Sequence, residues 1–152
     1  GSEHSFENKK FPLELHLVHL KEGYNTSDFN AARDALAVLS IVYQVNDDDS
    51  LEQVLNDAIT QVPNYRDEVE LDAFVPADLL PNDIFTFLRY EGSLTTPPCY
   101  ESVIWTVFTE PKGVRQTLLD DFRSIKDHEN NQVTHNYRPL QPLNGRIVTL
   151  RN

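Results

Sequence analysis

Phe11-Pro12-Leu13-Glu14-Leu15-His16-Leu17-Val18-His19 alternates with the two-residue period of a β-strand. Leu13, Leu15, Leu17 and His19 fall on one face, and Glu14, His16 and Val18 on the other. The first face reads as core, which makes His19 a satisfied core histidine. The second sets a carboxylate and an imidazole side by side on a rigid element. A carboxylate two residues from a histidine reaches one ring nitrogen, fixes the tautomer, and leaves the other nitrogen free for a metal. The same pair also occurs on the solvent face of ordinary edge strands, so spacing alone leaves both readings open.

Working outward, Ala35 to Val45 is apolar nearly throughout, as expected of a strand buried on both faces in the middle of a sheet. Ile84 to Tyr90 is an aromatic-rich strand. Glu101 to Phe108 is another and holds the single tryptophan, Trp105, and a short one covers Arg146 to Leu150. Between the second and third strands, Ser50 with Gln53 reads as a capping box, opening a helix that Pro63 stops. Leu51, Val54, Leu55, Ala58, Ile59 and Val62 form its apolar face. Val114 to Ile125 reads as a second helix. Thr95-Thr96-Pro97-Pro98 fits no regular element and predicts a rigid loop. Glu3 and His4 sit in a polar lead-in that, on its own, reads as a solvated terminus, and His128 and His135 read as surface residues in loops. The order is mostly strands with two surface helices, a single sheet-centred domain over residues 1–152.

The chain has 152 residues, 39% of them hydrophobic, which suffices for one domain with a core. No apolar run approaches the length that spans a bilayer. Thirteen Lys and Arg against 24 Asp and Glu give a net charge of −11, which argues against nucleic acid or an anionic membrane surface as partner. The one cysteine, Cys99, reads either as a buried small hydrophobe or as half of a disulfide with a partner outside this chain. Asn25-Thr26-Ser27 is a glycosylation sequon, meaningful only in a secreted protein.

Four stretches together resemble the alpha-class carbonic anhydrases: Gly1-Ser2-Glu3-His4, Glu14 to His19, Gly92-Ser93-Leu94-Thr95-Thr96-Pro97-Pro98, and Tyr137-Arg138-Pro139-Leu140-Gln141-Pro142-Leu143. The resemblance runs through the whole chain in order. It implies a mostly β (α+β) fold, a large, mainly antiparallel sheet with short surface helices and here without its N-terminal part, and a zinc enzyme, a lyase, that hydrates carbon dioxide to bicarbonate with a zinc-bound hydroxide. By resemblance, His16 is a zinc ligand and Glu14 its hydrogen-bonded support, with His4 and Tyr90 beside it. Thr95 accepts from the hydroxide and donates to Glu3, so that the nucleophile is aimed. Thr96 lies beside bicarbonate, and Val18, Val38, Leu94, Val103 and Trp105 form the apolar wall for carbon dioxide. Pro97-Pro98 is where the family has a cis peptide bond. The cysteine following Thr-Thr-Pro-Pro implies that Cys99 is disulfide-bonded to a cysteine upstream, in an extracellular or membrane-anchored protein.

The resemblance also implies an incomplete domain. The family's other two zinc histidines and its proton-shuttling histidine lie upstream of Glu3. One histidine does not hold zinc tightly, since a zinc site takes three or four protein ligands. The expectation is an active enzyme when intact and little activity in these 152 residues alone. The alternative is a non-catalytic, carbonic anhydrase-related binding or matrix module.

Overall fold

The computed structural model describes residues 1–48, 50–55 and 57–152. Six strands form one mixed sheet: β1 (Leu13–Leu20), β2 (Leu36–Val45), β3 (Phe87–Gly92), β4 (Val103–Phe108), β5 (Lys112–Val114) and β6 (Thr149–Arg151). Their order is β1-β2-β4-β3-β6, with β5 also on β2. β1 with β2, β3 with β4 and β3 with β6 run antiparallel, while β2 pairs in parallel with both β4 and β5. The antiparallel character implied by the resemblance thus holds around a parallel centre at β2. That strand is flanked on both sides, which is why it reads as continuously apolar.

The sheet buries two separate clusters. Ile41, Tyr43, Phe108 and Val114 on one face pack with Leu51, Leu79, Leu118 and Leu119, against Leu13, Leu15 and Leu17 of β1. The helices α1 (Ser50–Leu55), α2 (Ala58–Gln61) and α3 (Gln116–Ser124) accompany this cluster. Leu36, Val38, Val103, Trp105 and Val107 make the other cluster, with Leu88, Tyr90 and Leu94 beside them.

Several boundaries differ from the sequence expectation. The helix expected to start at Ser50 and end before Pro63 is two short helices, and Asn56 between them lies outside the described residues. Ser50 is already helical, and its backbone N–H donates to Asp48 Oδ1 at 2.8 Å. Asp49, the residue before it, lies outside the described residues. Val114 opens no helix. It ends β5, which the sequence reading missed, and is fully buried. Ile84 and Phe85 are exposed rather than in a strand, because Asp83 Oδ1 accepts from the N–H groups of Phe85 (2.9 Å) and Thr86 (3.1 Å) and folds a turn there. Arg146 turns its guanidinium back onto the carbonyls of Leu143 and Pro142, so the last strand starts at Thr149. His19 is exposed, not core, because the cover over β1 reaches only as far as Leu17. His128 and His135 are exposed, as expected. No helix among the described residues is long and apolar enough to cross a membrane.

Candidate metal centre

The register of β1 on β2 pairs Glu14 with Val42, His16 with Ser40 and Val18 with Val38. Cross-strand partners share a face, so Glu14 and His16 lie on the Trp105 side of the sheet. Parallel pairing sets Val38 against Trp105, and the β3–β4 register sets Tyr90 against Trp105. The Tyr90 and Trp105 rings stack at 6.3 Å with 8° between planes. A Cβ on Gly92 would lie 2.7 Å from the Tyr90 ring and 2.8 Å from Trp105, so only glycine permits this approach. The indole N–H donates to the Ser93 carbonyl at 3.1 Å. His4 and His16 each meet the indole edge-on, at 4.9 and 4.8 Å between centroids.

The polar lead-in is not a solvated end. Ser2 is fully buried, its N–H donates to the Phe11 carbonyl, and its hydroxyl oxygen accepts from the Phe11 N–H. This lays residues 2–4 over the start of β1 and brings both their backbone and His4 to Glu14. The N–H groups of Glu3 and His4 donate to Glu14 Oε2 at 2.8 and 2.9 Å. On Oε1, His4 Nδ1 lies at 2.6 Å, His16 Nε2 at 2.6 Å and the Ser40 hydroxyl at 2.7 Å. The Glu14 side chain is 2% exposed. Burial pushes its carboxyl upward, but the hydrogen bonds from His16, His4 and Ser40 outweigh burial and hold it well below the ordinary 4.5.

An ionised carboxylate only accepts. His16 therefore donates from Nε2, and its neutral tautomer carries the lone pair on Nδ1. His4 donates from Nδ1, and in the neutral tautomer its Nε2 accepts from the Tyr90 hydroxyl at 2.7 Å. Burial raises the Tyr90 phenol above its ordinary 10.0, keeping that proton in place. His4, Glu14 and His16 bring potential metal-binding atoms within 4.8 Å of one another. That proximity does not make them a three-ligand site. Both Glu14 oxygens and both His4 nitrogens are already engaged, which leaves His16 Nδ1 as the ligating atom of the trio. It lies 3.9 Å from Glu3 Oε2. The donor set fits one zinc ligand with its supporting carboxylate, the arrangement in which a second hydrogen bond orients a metal-binding imidazole.

The structure brings most, not all, of the expected site residues together. Val38, Val103 and Trp105 are buried side by side, Leu94 packs against them, and Val18 is 59% exposed. Glu3, His4, Tyr90 and Thr95 line one cavity of about 750 Å³ with Arg138 and Cys99. His16, Val18 and Trp105 are not on its wall. The hydrogen bond expected from Thr95 to Glu3 is not formed among the described residues. Glu3 Oε1 accepts instead from the Arg138 N–H at 2.9 Å, and Oε2 is turned toward His16. Thr96 is exposed. The Pro97–Pro98 peptide bond is cis, as the resemblance implied. Cys99 forms no disulfide within the chain. Ser40 and the Arg138 backbone were missed from sequence, since their contacts with Glu14 and Glu3 come from strand register and a long-range return of the chain.

The chain belongs to the eukaryotic-type carbonic anhydrases, whose family model matches residues 1–152. It is 38% identical over 153 residues to putative carbonic anhydrase 5 of Caenorhabditis elegans, covering 99% of this chain and 49% of that protein. It is 39% identical to mouse carbonic anhydrase 7 and 34% identical to human carbonic anhydrase 3, in each case over 97% of this chain and 58% of the relative. The chain thus spans about half the length of the curated relatives it matches.

Proposed function

We propose that the protein hydrates carbon dioxide reversibly to bicarbonate, with zinc as its metal. The observation that carries this reading is the 2.6 Å hydrogen bond from His16 Nε2 to a buried, ionised Glu14, which leaves Nδ1 as a preset ligand. Zinc, when bound, supplies a water acidic enough to lose its proton near pH 7. This chain's residues prepare the surroundings. Glu14 fixes the His16 tautomer, and His4, Tyr90 and Ser40 hold Glu14. Glu3, anchored by the Arg138 N–H, presents its second oxygen beside His16. Thr95, which lines the same cavity as Glu3 without bonding to it here, is assigned to orienting the nucleophile, and the exposed Thr96 to receiving bicarbonate. The buried cluster of Val38, Leu94, Val103 and Trp105 is assigned to the apolar wall for carbon dioxide, with the exposed Val18, paired to Val38, at its open end.

Within the His4–Glu14–His16 cluster one imidazole nitrogen is available, so the remaining zinc ligands are assigned to histidines outside these 152 residues. That same shortage favours the alternative, a non-catalytic carbonic anhydrase-related binding module, should no such histidines join it. The test is to express the protein with its coding sequence extended upstream, and to measure zinc by elemental analysis and carbon dioxide hydration on the same sample. One zinc per chain with hydration activity, both lost in His16→Ala, is the expected result. Retention of both in that variant would refute the assignment. We further propose, from the resemblance at Thr95 to Cys99 alone, that Cys99 pairs with a cysteine outside these residues in an extracellular protein. Identical mobility of the extended protein on reduced and non-reduced gels would count against this.

A further inference from the structure

β2 turns Leu36, Val38, Ser40 and Val42 toward the site, and each is at most 2% exposed. Three are apolar, and the fourth is a hydroxyl in a dry place. A buried hydroxyl left unpaired costs about 1–3 kcal/mol, so its partner is informative. Ser40 lies directly opposite His16 in the register and donates to Glu14 Oε1, not to any backbone group. Oε1 already receives His4 Nδ1–H and His16 Nε2–H, while Oε2 receives two backbone N–H groups. Four donors, two of them backbone, therefore hold the carboxylate without Ser40. Its added effect is on charge: three donors divide the negative charge of one oxygen, and each hydrogen bond is weaker than it would be with fewer rivals.

We infer that Ser40 is a positioning residue acting on His16 through Glu14: by sharing Oε1 with the His16 Nε2–H, its hydroxyl limits how far the carboxylate polarises the imidazole. The electron density available at His16 Nδ1 is thereby set from the neighbouring strand. That Nδ1 faces a metal rests on the carbonic anhydrase reading above. The sharing of Oε1 does not, and can be read without metal or turnover.

The experiment is proton and nitrogen NMR of the imidazole N–H groups in the 152-residue chain labelled with ¹⁵N-histidine. In Ser40→Ala, both the His16 Nε2–H and His4 Nδ1–H protons move downfield, as each gains a larger share of Oε1. Ser40→Thr keeps the hydroxyl and returns them toward the wild-type positions. Ser40→Cys carries a weak donor and falls between. If Ser40→Ala does not fold, the comparison of Ser40→Cys with wild type decides the matter in the same direction. Imidazole protons that stay in place in every folded hydroxyl-free variant overturn the inference. A downfield shift in a chain whose extended form neither binds zinc nor hydrates carbon dioxide would uphold the role of Ser40 and defeat the catalytic reading alone.

Discussion

The two faces of the sheet are built on opposite terms. On the helix-covered face, Ile41, Tyr43, Leu51, Phe108, Val114, Leu118 and Leu119 form an apolar cluster. The Tyr43 hydroxyl buried among them finds no hydrogen-bond partner among the described residues, and burial, with Asp48 nearby, pushes its pKa up to about 12. On the site face, a single carboxylate collects donors from Glu3, His4, His16 and Ser40. One face tolerates an orphan hydroxyl because packing holds it. The other uses apolar residues as walls around a fully satisfied polar knot. Stability and chemistry are thus separated by the thickness of a sheet, and β1 carries both because its side chains alternate.

The largest effect that would break this contrast is at the knot. Glu14→Gln keeps the shape but sets an amide NH₂ among donors and removes the charge that His4 and His16 face. The expected loss is about 3–5 kcal/mol, read from urea unfolding. A loss under about 1 kcal/mol would show that the knot is not tight. The same residue sets a pH dependence. Its folded pKa lies below the ordinary 4.5, so the stability it contributes is fully present above 4.5 and declines as the pH falls below that value, where the unfolded chain takes up a proton first. Urea midpoints should fall between pH 5 and pH 3, and Glu14→Gln should flatten part of that fall.

Next is the aromatic floor. Gly92→Ala forces a methyl into the Tyr90 and Trp105 rings, with an expected cost of about 1–3 kcal/mol. The displaced indole should change tryptophan fluorescence and near-ultraviolet circular dichroism. Unchanged spectra would mean that the ring contact is slack. The smallest effect has the opposite sign. Tyr43→Phe removes the orphan hydroxyl from the helix-covered face, and thermal unfolding should show no loss or a gain of about 1 kcal/mol. A clear destabilisation would reveal a partner for that hydroxyl and blur the contrast between the faces.

Much of this was legible in the sequence where the signal was local. The alternation from Leu13 to Val18 gave the strand, its two faces and the Glu14–His16 pair, because a period of two has one structural meaning when one side is apolar. The unbroken apolar run of β2 gave its central place. Non-local features were not legible. His19 continues the alternation on paper, but the apolar cluster on that face reaches along β1 only as far as Leu17. The turn at Asp83 depends on a side chain capping its own backbone, which hydrophobic periodicity overlooks. The burial of Ser2 and the convergence of Ser40 on Glu14 come from chain return and register, and no spacing rule reports either. The metal-site residues were named through family resemblance. Periodicity alone reached only Glu14 and His16.

The central claim is that His16 Nδ1 is the metal-binding atom of this chain and that Glu14 presets it. The direct test is chelator competition for zinc in the 152-residue chain, with His16→Ala measured beside it. The account predicts weak binding by the unmodified chain, well short of one tightly held zinc, and binding at least about tenfold weaker again in the variant, since loss of a ligand should exceed the loss of its supporting partner. One tightly held zinc per chain, unchanged by His16→Ala, would contradict it and would place the metal elsewhere on the molecule.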